Sequence, residues 1–198
     1  MWCIEMKNKT IIAIIGIPGS GKTSFANKLS TEFAGIPILN TDVLKTIYEP
    51  ENKEILSKVS HNSWELAGEY STENIRKGYA IFSRTLFQYT YSIAKKMLNT
   101  YTTVIAEGMG IDIVDLADLE ENVICVLLTN YDRDKSYSDK IKFRINKTNN
   151  WEKRKEILSE IEKYLFDNYK LVEKSACFDI HDEDMAIKYV KEQLVGGI

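Results

Sequence analysis

What this 198-residue chain has little of narrows its class first. Three prolines and ten glycines are too few for a collagen-like or low-complexity chain. The three cysteines, Cys3, Cys125 and Cys177, are odd in number and unclustered, which excludes a disulfide framework and a zinc-type spacing. Cys125 and Cys177 lie in apolar runs, where a free thiol behaves as a small hydrophobe. The two histidines, His61 and His181, are far apart, and neither has a metal-ligand cluster around it. No apolar stretch approaches the length needed to span a bilayer. The N-terminal "MWCIEMKNK" lacks the apolar core of a signal peptide, so a reducing cytoplasm is the expected compartment. A surplus of one charge sign is also missing. With 26 basic and 29 acidic residues, the net charge of −3 gives no sign of a nucleic-acid or membrane surface, and the oligomeric state stays open.

What is present fits one domain over 1–198, with 44% apolar residues to build a core. Five apolar runs read as strands: 10–15, 36–40, 103–107, 123–128 and 177–180. Most are β-branched and apolar at successive positions, the pattern of parallel strands covered on both faces. Amphipathic segments alternate with them, so the expected fold is an α/β three-layer sandwich around a five-stranded parallel sheet. A first helix is expected over about 22–33, with Phe25, Ala26, Leu29 and Phe33 as its stripe. Another lies between Trp151 and Lys174, and a last one follows Asp182, a suitable N-cap. About sixty residues separate the second and third strands, far more than a usual crossover. Within this helical insert, about 43–101, Ile75, Tyr79, Phe82, Leu86, Ile93 and Met97 trace one long amphipathic helix. Lys77, Arg84, Gln88 and Lys95 mark another face of it.

The sharpest signal is "GIPGSGKT", residues 16–23, which fits G-x-x-x-x-G-K-[ST] between an apolar strand and a helix. Polyphosphate needs many donors held close together. Glycines let backbone N–H groups curl around it, and the helix start adds donors and partial positive charge. Gly16, Pro18, Gly19, Ser20, Gly21, Lys22, Thr23 and Ser24 are therefore the expected nucleotide-binding set, with a nucleoside triphosphate as ligand. Lys22 is expected at the outer phosphates and the Thr23 hydroxyl on Mg²⁺.

Acidic residues at the neighbouring strand ends point to transfer chemistry. Asp42 follows the second strand, at the edge where open parallel sheets bind ligands. It suits a base for an attacking hydroxyl, a water-mediated Mg²⁺ ligand, or the N-cap of a helix starting near Val43. Glu107 ends the third strand and suits support of the metal. Asp112 is weaker, and is read as a loop carboxylate in water. Past the fourth strand, a basic segment at about 131–150 suits a mobile lid, with Lys140 or Arg144 reaching the phosphates. His61, inside the insert, is read either as touching substrate or as a helix-start residue.

With these residues in view, the chain resembles the P-loop small-molecule kinases related to nucleoside monophosphate kinases. More narrowly, it is similar to archaeal 2-phosphoglycerate kinase. The resemblance rests on "GIPGSGKTSFANKLS", "GIPILNTDVLK", "SHNSW", "IRKGYAIFSRTLFQ", "VIAEGMGI" and "EIEKYLFDNYKLVEKSACFDIHDEDMAIKYV", in that order. It implies ATP with Mg²⁺, transfer of the γ-phosphoryl group to a hydroxyl of a small acceptor, and Lys22, Thr23 and Asp42 at the active site. It also implies a nucleotide base near His181 and an acceptor held by the insert; anionic acceptor groups are then expected to meet Lys45, Lys77, Arg84 or the neighbourhood of Arg76, with His61 a further candidate contact. Lys45 stands where an arginine is expected, and a lysine lacks the two-pronged grip. Rival expectations are a kinase for nucleotides or polynucleotide 5′-hydroxyls, and a non-catalytic ATP-binding sensor.

Overall fold

The segment TIIAII at 10–15 is buried at every position, so its alternating side chains must meet cover on both faces. The computed structural model describes residues 9–58, 60–130 and 151–195, and shows this segment as strand β1 (Thr10–Ile15) at the centre of a sheet. The others are β2 (Ile38–Asn40), β3 (Thr103–Glu107), β4 (Asn122–Thr129) and β5 (Lys174–Asp179). All pairings are parallel, in the order β2-β3-β1-β4-β5. The chain leaves β1 for one side of the sheet, returns to β3, and then crosses β1 to β4. That reversal puts a ligand crevice at the C-terminal end of β1.

Helices α1 (Lys22–Glu32), α2 (Thr41–Tyr48), α3 (Lys53–Leu56), α4 (Thr72–Met97), α5 (Ile113–Ala117), α6 (Trp151–Asn168) and α7 (Glu183–Val195) complete the layers. The pleat sorts the core in two. Ile11, Ala13 and Ile15 join Leu39, Ala106 and Cys125 on the face packed by Tyr79 and Leu86 of α4 and Ile161 and Leu165 of α6. Ile12 and Ile14 join Ile105, Val126 and Leu128 on the face packed by Phe25 and Leu29 of α1 and Val190 of α7. Each buried Ile, Leu, Val or Phe side chain among these contributes roughly 1.5–3 kcal/mol by leaving water.

Some boundaries differ from expectation. β2 begins at Ile38, after Pro37, which has no N–H for the ladder but whose carbonyl accepts from Ile105 N at 2.9 Å. β5 starts at Lys174, because an edge strand tolerates the polar, half-buried Lys174 and Ser175. The insert between β2 and β3 holds α2, α3, a 3₁₀ segment (Ser60–Leu66) and α4. Ser71 caps α4 by accepting from Asn74 N at 3.1 Å. Ile75, Tyr79, Phe82 and Leu86 are its buried stripe, whereas Lys77, Arg84, Gln88 and Lys95 are exposed. Arg76 ties α4 to α6 through Glu160 and Asp167, each at 3.3 Å.

Candidate active site

β1 ends at Ile15, and the chain turns through six residues, Gly16 to Gly21, before α1 begins at Lys22. Gly21 precedes the helix with φ +81°, a left-handed conformation costly for other residues. A Cβ there would stand 2.6 Å from Ile180 Cδ1, so the 3₁₀ turn Ile180–Asp182 after β5 packs directly on the loop. Gly19, at φ +85°, is exposed at the crown, and a Cβ there would meet nothing within 4 Å. Ser20 is buried and its hydroxyl has no partner among the described residues. Pro18 is half-buried, and Ser24 lies exposed on the first turn of α1. Lys22 Nζ folds back and donates to Ile17 O at 2.9 Å. Burial pushes the Lys22 ammonium down to about 8, against the pull of Glu107 and then Asp42.

The next strand end supplies an acid. Glu107 lies in register with Ile14 of β1 and Asn40 of β2, on the sheet face toward α1. It is 2% exposed, and its Oε1 accepts from Thr23 Oγ1 at 3.1 Å and from Asn40 Nδ2. Burial raises its pKa, while Lys22 and the Thr23 hydroxyl oppose the rise. Asp42 is exposed on the first turn of α2, where the helix N-terminus favours a carboxylate.

Two expectations change here. The cap of α2 is Asn40, not Asp42: its Oδ1 accepts from Asp42 N at 2.8 Å and Val43 N at 3.1 Å. Asp112 is no solvated loop carboxylate. It is fully buried, caps α5 by accepting from Asp115 N at 3.0 Å, and accepts from Ser83 Oγ of α4 at 2.9 Å. With Tyr79 Oη donating to Met109 O at 2.9 Å, it clamps the loop after Glu107 onto the insert helix.

Lys22, the Thr23–Glu107 pair and Asp42 thus all stand at the C-terminal edge of the sheet, at or past the ends of β1, β3 and β2. The other named residues have their own partners. Lys45 pairs with Glu49 at 2.9 Å, Lys77 with Glu73, and Arg84 with Asp115 at 3.2 Å. His61 is half-buried, and burial, then the Arg154 charge, pushes its pKa down to about 4. His181 is exposed, one residue past the Ile180 that covers the loop. Lys140, Arg144 and the expected lid at 131–150 lie outside the described residues.

Sequence reasoning missed Asn40 and Thr41. The Thr41 hydroxyl accepts from Gly110 N at 3.2 Å and fills the space where a Cβ on Gly108 would stand, 1.9 Å away. The available signal was an asparagine closing a strand just before a helix, a common capping position. Among the described residues, no three of His, Cys, Asp or Glu gather into a metal-holding group. One hydroxyl with two carboxylates nearby is a sparse oxygen set. It fits magnesium, which keeps most of its water and phosphate ligands.

No family model matches the chain, and comparison with curated proteins finds no match. Solved structures do match in fold. Shikimate kinase from Acinetobacter baumannii, in complex with shikimate, superposes with a TM-score of 0.52 at 14% identity over 97% of this chain and 96% of that one. Shikimate kinase from Bacteroides thetaiotaomicron gives 0.52 at 15% identity over 93% and 97%. The likeness shows the fold, a three-layer α/β sandwich shared with these shikimate kinases along nearly the whole chain. No helix among the described residues is long and apolar enough to cross a membrane.

Proposed function

We propose that the protein is an ATP-dependent phosphotransferase that moves the γ-phosphoryl group to a hydroxyl of a small, anionic metabolite resembling 2-phosphoglycerate. The observation that carries this is that Lys22, the Thr23–Glu107 pair and an exposed Asp42 share the C-terminal edge of the sheet. A protein that only holds nucleotide needs the first two; an exposed carboxylate beside them serves an acceptor. The fold shared with shikimate kinases supports the reading by analogy.

In this reading the loop amides and Lys22 hold the β- and γ-phosphates. With its pKa at about 8, Lys22 is mostly charged at neutral pH, and phosphate beside it strengthens that charge. The turn of half-buried Ile180 and exposed His181 offers a seat for the nucleotide base. Asp42 orients the acceptor hydroxyl and takes its proton as the bond to phosphorus forms. Magnesium, when bound, supplies charge neutralisation at the phosphates, and Thr23, Glu107 and Asp42 are the residues that would hold it, directly or through water. The acceptor sits against the insert, near Lys45 and His61, with Lys77 and Arg84 as outer contacts. Their ion pairs are half-exposed or exposed and contribute little in water, so an anionic ligand displaces the partner carboxylate at small cost. Lys140 and Arg144 of the lid are the cations proposed to close over the transferred group. The cytoplasm is the compartment proposed for such chemistry.

A panel of phosphorylated and unphosphorylated hydroxy acids, nucleosides and 5′-hydroxyl oligonucleotides tests the acceptor class, with ADP release as the readout. A small hydroxy acid is expected to stimulate release most. Stimulation by oligonucleotides alone overturns the acceptor assignment, and ATP binding with no stimulation by any acceptor favours a sensor.

A further inference from the structure

β2 ends at Asn40, directly opposite Glu107 in the parallel register, so both side chains leave the sheet on the α1 face. The carboxamide is used at both ends. Its oxygen accepts from Asp42 N and Val43 N, fixing the first turn of α2. Its nitrogen donates to Glu107 Oε1, the same oxygen that accepts from Thr23 Oγ1. One planar group therefore connects the turn that presents Asp42 to the acid that meets Thr23. The amide orientation follows from the partners, because the reversed one would set its NH₂ against two N–H groups and its oxygen against a carboxylate.

Few side chains suit both tasks. Serine, threonine and aspartate cap a helix as asparagine does, yet none carries an N–H for Glu107. Aspartate would also set a second carboxylate against the first. Glutamine adds a methylene and carries the oxygen out of capping reach. The Thr41 hydroxyl, bound to Gly110 N, braces the same corner from its other side.

We infer that Asn40 is a positioning residue of the phosphotransfer site: its carboxamide sets Glu107 against Thr23 and holds Asp42 in fixed relation to both. The inference rests on the phosphotransferase reading above. It predicts a defect in how the site uses magnesium, which a purely capping role does not produce.

The test is Asn40→Ser, which keeps a capping oxygen and removes the amide donor, an atom one bond farther from Cβ than the serine hydroxyl. Binding of a fluorescent ATP analogue is measured with and without Mg²⁺, followed by steady-state kinetics with the best acceptor from the panel. The wild type is expected to bind more tightly when Mg²⁺ is added. In Asn40→Ser, binding without Mg²⁺ is expected to stay within about twofold. The Mg²⁺ concentration for half-maximal tightening should rise about tenfold, within the range found when the outer partners of a metal site are removed. Turnover should fall by a similar factor, with KM for ATP nearly unchanged. Asn40→Ala should show the same magnesium defect and, with its cap lost, a melting temperature lower by about 2–4 °C. Wild-type magnesium dependence and turnover in Asn40→Ser overturn the inference, as does a lowered melting temperature with no magnesium shift. Should Asn40→Ser fail to fold, Asn40→Thr gives the same comparison. A wild type whose nucleotide binding ignores Mg²⁺ overturns both the phosphotransferase reading and the role of Asn40, and that result is visible before any variant is made.

Discussion

Gly19 and Gly35 form a matched pair for testing the loop. Both have φ +85°, and a Cβ at either meets nothing within 4 Å. Gly19 stands at the exposed crown of the 16–23 loop, whereas Gly35 follows the end of α1, its N–H donating to Ser30 O at 2.8 Å. Alanine in a left-handed conformation costs about 1–2 kcal/mol, offset by about 0.4–1 kcal/mol because its unfolded chain has less freedom to lose. The net is about 1 kcal/mol for each variant, or roughly 2–4 °C in melting temperature for a chain of this size. Their effects on nucleotide should differ. A methyl at Gly19 intrudes on the ring of donors proposed to grip the phosphates. Charge-assisted hydrogen bonds contribute about 1.5–3 kcal/mol each, so displacing two of them weakens binding by at least about 100-fold. Differential scanning fluorimetry reads the first effect and titration of a fluorescent ATP analogue the second. Gly19→Ala and Gly35→Ala should melt alike, and only Gly19→Ala should lose nucleotide. Equal affinity in the two variants, both near wild type, refutes the cradle.

Three further outcomes follow from particular contacts. Gly78→Ala sets a Cβ 2.0 Å from Ser63 O, forcing α4 away from the 3₁₀ segment. The overpacking, about 1–3 kcal/mol, exceeds the roughly 0.5–1 kcal/mol gain in helix propensity, so thermal melting should fall rather than rise. Asp112→Ala strips the cap of α5 and leaves the buried Ser83 hydroxyl only the longer bond to Ala80 O at 3.3 Å, costing about 1–3 kcal/mol in urea unfolding at pH 7. His61 is held neutral in the fold, with a pKa of about 4 against 6.5, by burial first and Arg154 second. The unfolded chain therefore binds the extra proton between these values, and stability falls as pH drops from about 6.5 to 4. For a partly exposed ring the loss is about 1–2 kcal/mol, and His61→Asn should remove that part of the urea-midpoint change between pH 7.5 and 5.

The central strands were legible because buried parallel strands are written as unbroken apolar runs. β1 and β3 have the expected bounds, 10–15 and 103–107. β5 was read three residues late, since an edge strand carries polar residues such as Lys174 that lack this signature. The 3.6-residue rhythm of α4 was equally plain, from Ile75 through Leu86. At the site, the motif named its own residues, and the strand-edge rule pointed to Asp42 and Glu107. What spacing could not reveal was tertiary. Asn40 looked like the end of a strand, yet it caps α2 and holds Glu107 across 67 residues of chain. Asp112 looked like a surface acid because nothing local shows that α4 passes over it with Ser83.

The central claim is that the phosphate loop and Asp42 act on one transferred group. Transfer of radiolabelled γ-phosphate from ATP to the best acceptor, in the wild type and in Asp42→Asn at saturating substrates, tests it most directly. The account predicts a loss of at least about 100-fold in transfer, with the ATP dissociation constant within a few-fold of wild type. Transfer by Asp42→Asn at the wild-type rate would contradict it.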